Sequence, residues 1–186
     1  IYAVLLHNSE LILKKKGNEI YNSLKFAKKI GLISKFGYSI YSFSNLTRLC
    51  QKYRPDIIQC PYNIFDRRLV KKNRIKYMKK NKIEIHVRSI FLQGLLLMHS
   101  KSIPNYFEKW ENLFSKWHIW LLKNKFEPLQ SCLNFVFKTK GIDKIVIGVN
   151  DLNQLKQIFK IKTQKKIIIP KNIQSSDKNL LYPSLW

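Results

Sequence analysis

The chain has 186 residues, 45% hydrophobic and 13% aromatic, which excludes a disordered chain despite its charge. Thirty-five Lys and Arg against 11 acids give a formal net charge of +24, a balance that draws polyanions such as nucleic acid, anionic membrane or phosphorylated ligands. A blander reading competes: Lys, Ile and Asn are spread along the whole chain, as a compositional bias produces, with no run of about five or six like charges marking a binding arm.

Ile1–Leu6 is a continuous apolar run ended by His7-Asn8, as in a strand buried on both faces. From Asn18 to Ile30, Ile20, Leu24, Ala27 and Ile30 recur at helical spacing, and Gly31 stops the helix. A second strand is expected over Ile33–Tyr38, a short helix over Phe43–Tyr53 and a third strand over Asp56–Cys60. Asp66–Met78 reads as a basic helix, followed by a strand over Ile83–Ser89 and an irregular stretch from Leu92 to Asn105. Helical patterns resume over Tyr106–Leu122 and Pro128–Lys138. The first is a partly exposed aromatic helix whose Trp residues fit core or subunit packing, with base stacking the alternative. A fifth strand over Lys144–Gly148 leads into a helix over Leu152–Phe159, and a polar tail closes the chain. The domain division expected is therefore 1–160 and a tail 161–186.

Three cysteines (Cys50, Cys60, Cys132) are too scattered for a disulfide framework or a zinc site and suit a reducing compartment, taken as the cytoplasm. No stretch nears the roughly 18–20 apolar residues of a membrane span. The first residues lack the basic region and cleavage site of a signal peptide. With no initiating Met and an apolar run at the start, an N-terminal part is expected to be missing.

Strands alternating with helices about every thirty residues are the signature of a parallel α/β sheet, which places ligands at the carboxyl ends of its strands. Those ends hold His7, Ser39, Gln59, Arg88-Ser89 and Gly148-Val149-Asn150. Each has a structural reading beside the functional one: a satisfied histidine, a helix-capping serine, a glutamine bonded to backbone. Arginine is rarely buried unpaired, and its flat cation stacks on a ring or grips phosphate. Gly148-Val149-Asn150 before a helix presents N–H groups to an anion. No nucleophile elbow, metal spacing or phosphate loop is present.

Taken in order, these segments resemble the aldo-keto reductase family: Leu5-Leu6-His7-Asn8; Lys35-Phe36-Gly37-Tyr38-Ser39; Asp56 to Asn63; Arg88 to Leu96; and Ile147-Gly148-Val149 with Leu152 and Gln154-Leu155. The resemblance covers nearly the whole chain and implies a partial (β/α)8 TIM barrel of about five βα units, strands four to eight, with the N-terminal units missing. It implies a small-molecule carbonyl substrate, an aldehyde or ketone, with a sugar-derived one suggested by the Arg88–Leu96 segment, and the cofactor NADP, with NAD the alternative. His7 then polarises the substrate carbonyl, while Ser39 and Gln59 bond the nicotinamide carboxamide. Arg88 stands where many members stack a Tyr on the ring. Ser89 and the Leu92–Gly94 loop cover the pyrophosphate, and Gly148, Val149, Asn150 and Gln154 hold the adenosine half.

There are departures from the family pattern. Ile40 replaces an Asn that bonds the carboxamide, Asn150 and Asp151 stand where NADP-preferring members carry Arg, and Ile158 replaces an Asn at adenine. Lys156, Lys160 and other cations are within reach of a 2′-phosphate, so the sequence leaves NADP and NAD open. The catalytic Asp, Tyr and Lys belong to the first three strands, which have no match, so the fragment is expected to be inactive. The alternatives are a non-catalytic reductase-like scaffold and a basic nucleic-acid-binding module; no metal or membrane partner is expected.

Overall fold

The computed structural model describes residues 1–161 and 167–186; residues 162–166 of the expected tail lie outside the described residues. Five strands form, β1 (Ala3–Leu6), β2 (Lys35–Ser39), β3 (Ile57–Pro61), β4 (Glu84–Arg88) and β5 (Lys144–Ile145). They make one sheet in the order β1-β2-β3-β4-β5. β1 pairs parallel with β2, Leu6 opposite Tyr38, and β2 with β3, Ser39 opposite Gln59. Parallel neighbours require crossovers, supplied by α1 (Gly17–Lys29), α2 (Leu46–Lys52) and α3 (Arg74–Lys80) between successive strands. Later come α4 (Glu111–Asn124), α5 (Pro128–Phe137), α6 (Leu152–Lys160) and α7 (Lys178–Leu181).

The chain divides into two compact units. The first comprises Ile1–Pro61, Leu69–Val87 and Gly141–Lys144. Its strands bury Phe36, Tyr38, Ile57, Ile58, Ile85 and Val87, the near-continuous apolar runs of a sheet covered on both faces. The scarce acids staple the starts of these strands. Asp56 takes the Lys28 ammonium at 2.6 Å and the Phe36 N–H at 3.1 Å. Asp143 takes Lys79 at 2.5 Å and the Ile85 N–H at 2.7 Å. Glu84 receives the Lys35 ammonium, the Tyr2 hydroxyl at 2.8 Å and His86 Nε2 at 3.0 Å. Burial works against the Glu84 charge, but the hydrogen bonds from Lys35, Tyr2 and His86 prevail and hold its carboxyl down at about 2.

The second unit comprises Tyr62–Arg68, Arg88–Lys140 and Ile145–Trp186. Phe114, Trp117 and Leu121 fall on one side of α4 and join Phe65, Leu96, Phe107 and Cys132 in its core. Trp117 and Trp120 stack at 5.5 Å, and the Trp117 indole N–H donates to the Leu96 carbonyl at 3.1 Å. The aromatic helix, expected to be partly exposed, thus buries these rings. Cys50, Cys60 and Cys132 are buried, none of them in a disulfide. Burial pushes the Cys50 thiol up to about 12.

Two expectations about elements need correction. The helix over Asp66–Met78 is broken: a 3-10 segment, Arg68–Asn73, precedes α3, with Lys72 and Asn73 left-handed at φ 53° and 55°. Its start is held in a turn instead, because Asn63 Oδ1 accepts the Phe65 and Asp66 N–H groups and Asp66 grips Arg68 at 2.6 Å. The fifth strand is reduced to Lys144–Ile145; residues 146–149 leave the ladder. The polar tail is packed. Ile169, Ile173, Leu180 and Leu181 enter the core of the second unit, and the Arg67 guanidinium, which stacks on Phe135, donates to the Ile169 and Ile173 carbonyls at 3.3 and 3.0 Å. A few aliphatic residues in a segment rich in Lys, Asn, Gln and Ser suffice to dock it.

Candidate functional site

In the first unit, β1, β2 and β3 deliver His7, Ser39 and Gln59 to their carboxyl ends. His7 directly follows β1 with an exposed side chain. Ser39 and Gln59 are register partners, and the Ile40 N–H donates to the Gln59 carbonyl at 2.8 Å. Such proximity needs Gly37: a Cβ there would lie 2.0 Å from the Ile57 carbonyl oxygen. Ser39 Oγ is buried and finds no hydrogen-bond partner among the described residues. A buried hydroxyl left unpaired costs on the order of 1–3 kcal/mol, and each such group calls for an explanation.

In the second unit, a cavity of about 650 Å³ is walled by residues that the sequence places far apart. Arg88, Ser89 and Gly94 line it from the end of β4 and the following loop; Gly148, Val149, Asn150 and Gln154 line it from the approach to α6. Leu92 does not: it is 1% exposed and sits in the core. That loop is strained. Ser89, Leu92 and Gln93 adopt φ of 57°, 48° and 54°, and Gly94 follows at 91°. Left-handed non-glycine residues each cost on the order of 1–2 kcal/mol and cluster at functional sites. Asn63, buried, donates from Nδ2 to the Ser89 carbonyl at 2.9 Å and fixes this turn. Arg88 Nη1 reaches Ser89 Oγ at 3.3 Å. At the other end, Asp151 caps α6 by accepting from the Gln154 N–H at 2.9 Å, and Gln154 Oε1 accepts from the Asn150 N–H at 3.0 Å.

Several wall residues escaped the sequence reading. Gln157 lies three positions after Gln154 on one face of α6 and was legible from that spacing. Leu129 and Leu97 are brought in by tertiary packing, without a local signal, whereas Phe91 lies within the Arg88 to Leu96 segment. Asn63 was visible only as part of a motif. Among the described residues no group of His, Cys, Asp and Glu is placed to hold a metal, and no helix is long and apolar enough to cross a membrane.

The chain is similar in structure to the apo form of aldo-keto reductase AKR11C1 from Bacillus halodurans, with a TM-score of 0.71 and 15% identity over 93% of this chain and 59% of that one. The holo form of that protein gives 0.69 and 14%, over 93% and 58%. A thermostable aldo-keto reductase, Tm1743, solved with the inhibitor epalrestat, gives 0.61 and 19%, over 100% and 60%. The chain spans about three-fifths of the length of these structures. No curated protein matches it. At such identities the structures establish a shared fold, while the sequence model of the aldo/keto reductase family matches residues 3–167. On that match, which takes in all five strands and both sets of strand-end residues, the chain belongs to the aldo/keto reductase family.

Proposed function

We propose that this chain provides the cofactor-binding carboxyl-terminal strands, four to eight, of a (β/α)8 barrel, and that the whole protein reduces the carbonyl of an aldehyde or ketone to an alcohol with a nicotinamide dinucleotide. The observation that carries the reading is the 650 Å³ cavity of the second unit, whose wall unites the Arg88–Gly94 loop with the turn into α6. The orphaned Ser39 hydroxyl of the first unit supports it independently, since a carboxamide offers the partner that the hydroxyl lacks. When bound, the reduced dinucleotide supplies hydride to the carbonyl carbon. In this reading Ser39 and Gln59 orient the carboxamide, and Arg88 lays its guanidinium against the ring. The strained 89–94 backbone covers the pyrophosphate, and Gly148 to Gln154 receive the adenosine half. His7, at the open end of β1, orients the substrate oxygen.

The family's proton donor, a Tyr tuned by Lys and Asp, matches no residue of this chain; in the whole protein it belongs to strands before β1. A sugar-derived carbonyl is the substrate class the resemblance favours, and three buried cysteines outside any disulfide suit a cytoplasmic setting. The basic nucleic-acid module loses its stacking platform, because Trp110, Trp117 and Trp120 are buried.

The test is titration of the chain with reduced nicotinamide dinucleotide, read by energy transfer from tryptophan. Saturable binding displaced by 5′-ADP, without oxidation of the ligand by aldehydes or ketones, is expected. Absence of saturable binding overturns the reading.

A further inference from the structure

We propose that the first unit carries a second binding site, which takes an oligophosphate: a compact chain of phosphate groups, free or carried by a nucleotide. The site is a cavity of about 570 Å³ at the amino ends of β2 and β3, the size of sites for small ligands. Phe36 in β2 and Asp56, just before β3, belong to its wall. Ser39, which the proposed function gives to the carboxamide, is three positions beyond Phe36 on the same strand. It therefore stands about 10 Å further along and on the other face of the sheet.

Charge is concentrated in this cavity beyond what composition produces. Five of its nine wall residues are cations, Lys25, Lys28, Lys29, Arg54 and Lys82. The cavity of the second unit has sixteen wall residues and, among the described residues, a single cation, Arg88. The five come from three places. Lys25, Lys28 and Lys29 share one face of α1 through their i, i+3, i+4 spacing. Arg54 comes from the turn before β3 and Lys82 from the turn before β4. Like charges at i and i+4, as at Lys25 and Lys29, work against the helix that carries them. The fold thus gathers cations that repel one another, and a bound polyanion relieves that repulsion.

Asp56 is the one acid in the wall among the described residues, and it is engaged. Its two oxygens hold the Lys28 ammonium at 2.6 and 2.7 Å, and one of them accepts the Phe36 N–H at 3.1 Å. Lys25, Lys29, Arg54 and Lys82, all exposed, are left without a carboxylate in the wall among the described residues. The wall is also held in place. The Tyr21 ring packs against Phe36 and Tyr53 at 5.7 and 5.3 Å and has the Lys25 ammonium over it at 5.6 Å. Arg54 Nη2 donates to the Asn81 carbonyl at 3.0 Å and so ties the two turns together beside Lys82. Convergence decides the class of ligand. A nucleic-acid strand spreads its phosphates along an axis and asks for a stripe of cations, whereas these close on one concavity. Lysine ammonium groups are compact point charges, suited to phosphate oxygens held close together.

Calorimetric titration of the full 186-residue chain with tripolyphosphate, at about 0.15 M salt to screen long-range attraction, tests this. One saturable site is expected, at least about tenfold tighter than for inorganic phosphate and not displaced by NADH. Lys25→Gln combined with Lys29→Gln is expected to weaken binding about tenfold, and Lys82→Gln, from a different element, about threefold. Lys116→Gln combined with Lys123→Gln, on exposed positions of α4, removes the same charge and should change affinity less than about twofold. Equal losses in the two double variants, displacement by NADH, or no saturable binding each overturn the proposal. A single-stranded oligonucleotide that binds tighter than tripolyphosphate, and is weakened by the same variants, makes the occupant a nucleic acid and overturns the class. Adenosine triphosphate separates the two sources. Affinity equal to that of tripolyphosphate means that the phosphate chain is the whole ligand; tighter binding, lost with Lys25 and Lys29, means that a nucleotide carries it.

Discussion

Ser39 and Glu84 show two opposite fates of a polar group inside the first unit. The hydroxyl of Ser39 is buried with no partner among the described residues, which destabilises the fold; on the proposed function, a bound carboxamide supplies the partner. Ser39→Ala is therefore expected to leave the ligand-free chain as stable or up to about 1 kcal/mol more stable, while weakening dinucleotide binding severalfold. Thermal melts with and without NADH separate the two effects; a large loss of stability without ligand would assign the hydroxyl a structural partner instead. Glu84 is satisfied by three donors, and its carboxyl is held at about 2, below its ordinary 4.5. A carboxylate with a depressed folded value stabilises the fold above its unfolded value, and that contribution is lost as pH falls toward the folded one. Denaturation between pH about 4.5 and 2 should thus steepen through Glu84. In Glu84→Gln, the melting temperature is expected to fall at pH 7 and to depend less on pH across that window, as followed by circular dichroism.

Within the elements, backbone conformation decides more than side-chain chemistry. β2 lies so close to β3 at Gly37 that a Cβ would sit 2.0 Å from the Ile57 carbonyl oxygen. The contact is with backbone that the sheet itself holds in place, so no side chain can move aside. Gly37→Ala is expected to destabilise the protein by more than about 3 kcal/mol, the range reached when a strand must separate from its neighbour; urea denaturation measures it, and a loss below about 1 kcal/mol would show that β2 can shift. The 89–94 loop carries the reverse arrangement, with left-handed conformations imposed on Ser89, Leu92 and Gln93. Its strain is offset by Asn63 on the Ser89 carbonyl and by Leu92 in the core.

For the whole molecule, charge and apolar surface oppose one another. Ile1, Leu122 and Phe159 are 82%, 78% and 80% exposed, and the sheet order leaves β1 with a neighbour on one side only. Unpaired strand edges and apolar patches drive association, whereas +24 charges repel. Repulsion is screened by salt, with a Debye length near 8 Å at 0.15 M, and edge pairing is not. The chain by itself is therefore expected to remain dispersed at low salt and to self-associate as salt rises; analytical ultracentrifugation at about 20 mM and 500 mM salt decides this. A monomer at both would mean that the β1 edge is blunted by its own flanking residues.

By itself the sequence determined what depends on local periodicity and on the order of strand ends: the alternation of strands and helices, each strand within a few residues, and His7, Ser39, Gln59 and Arg88 at the ends of successive strands. Apolar runs and helical spacing are short-range properties, so they survive without knowledge of the fold. Tertiary structure alone decided the rest. It broke the 66–78 helix through the Asn63 and Asp66 turn, shortened the last strand, and drew the tail into a core through four aliphatic residues and Arg67. It turned Leu92 away from the cavity and orphaned the Ser39 hydroxyl. It also left the lysines of α6 out of a wall that their position in the sequence had seemed to promise. Burial and the direction of a side chain are set by what packs against it from elsewhere in the chain, and a linear pattern does not carry that information.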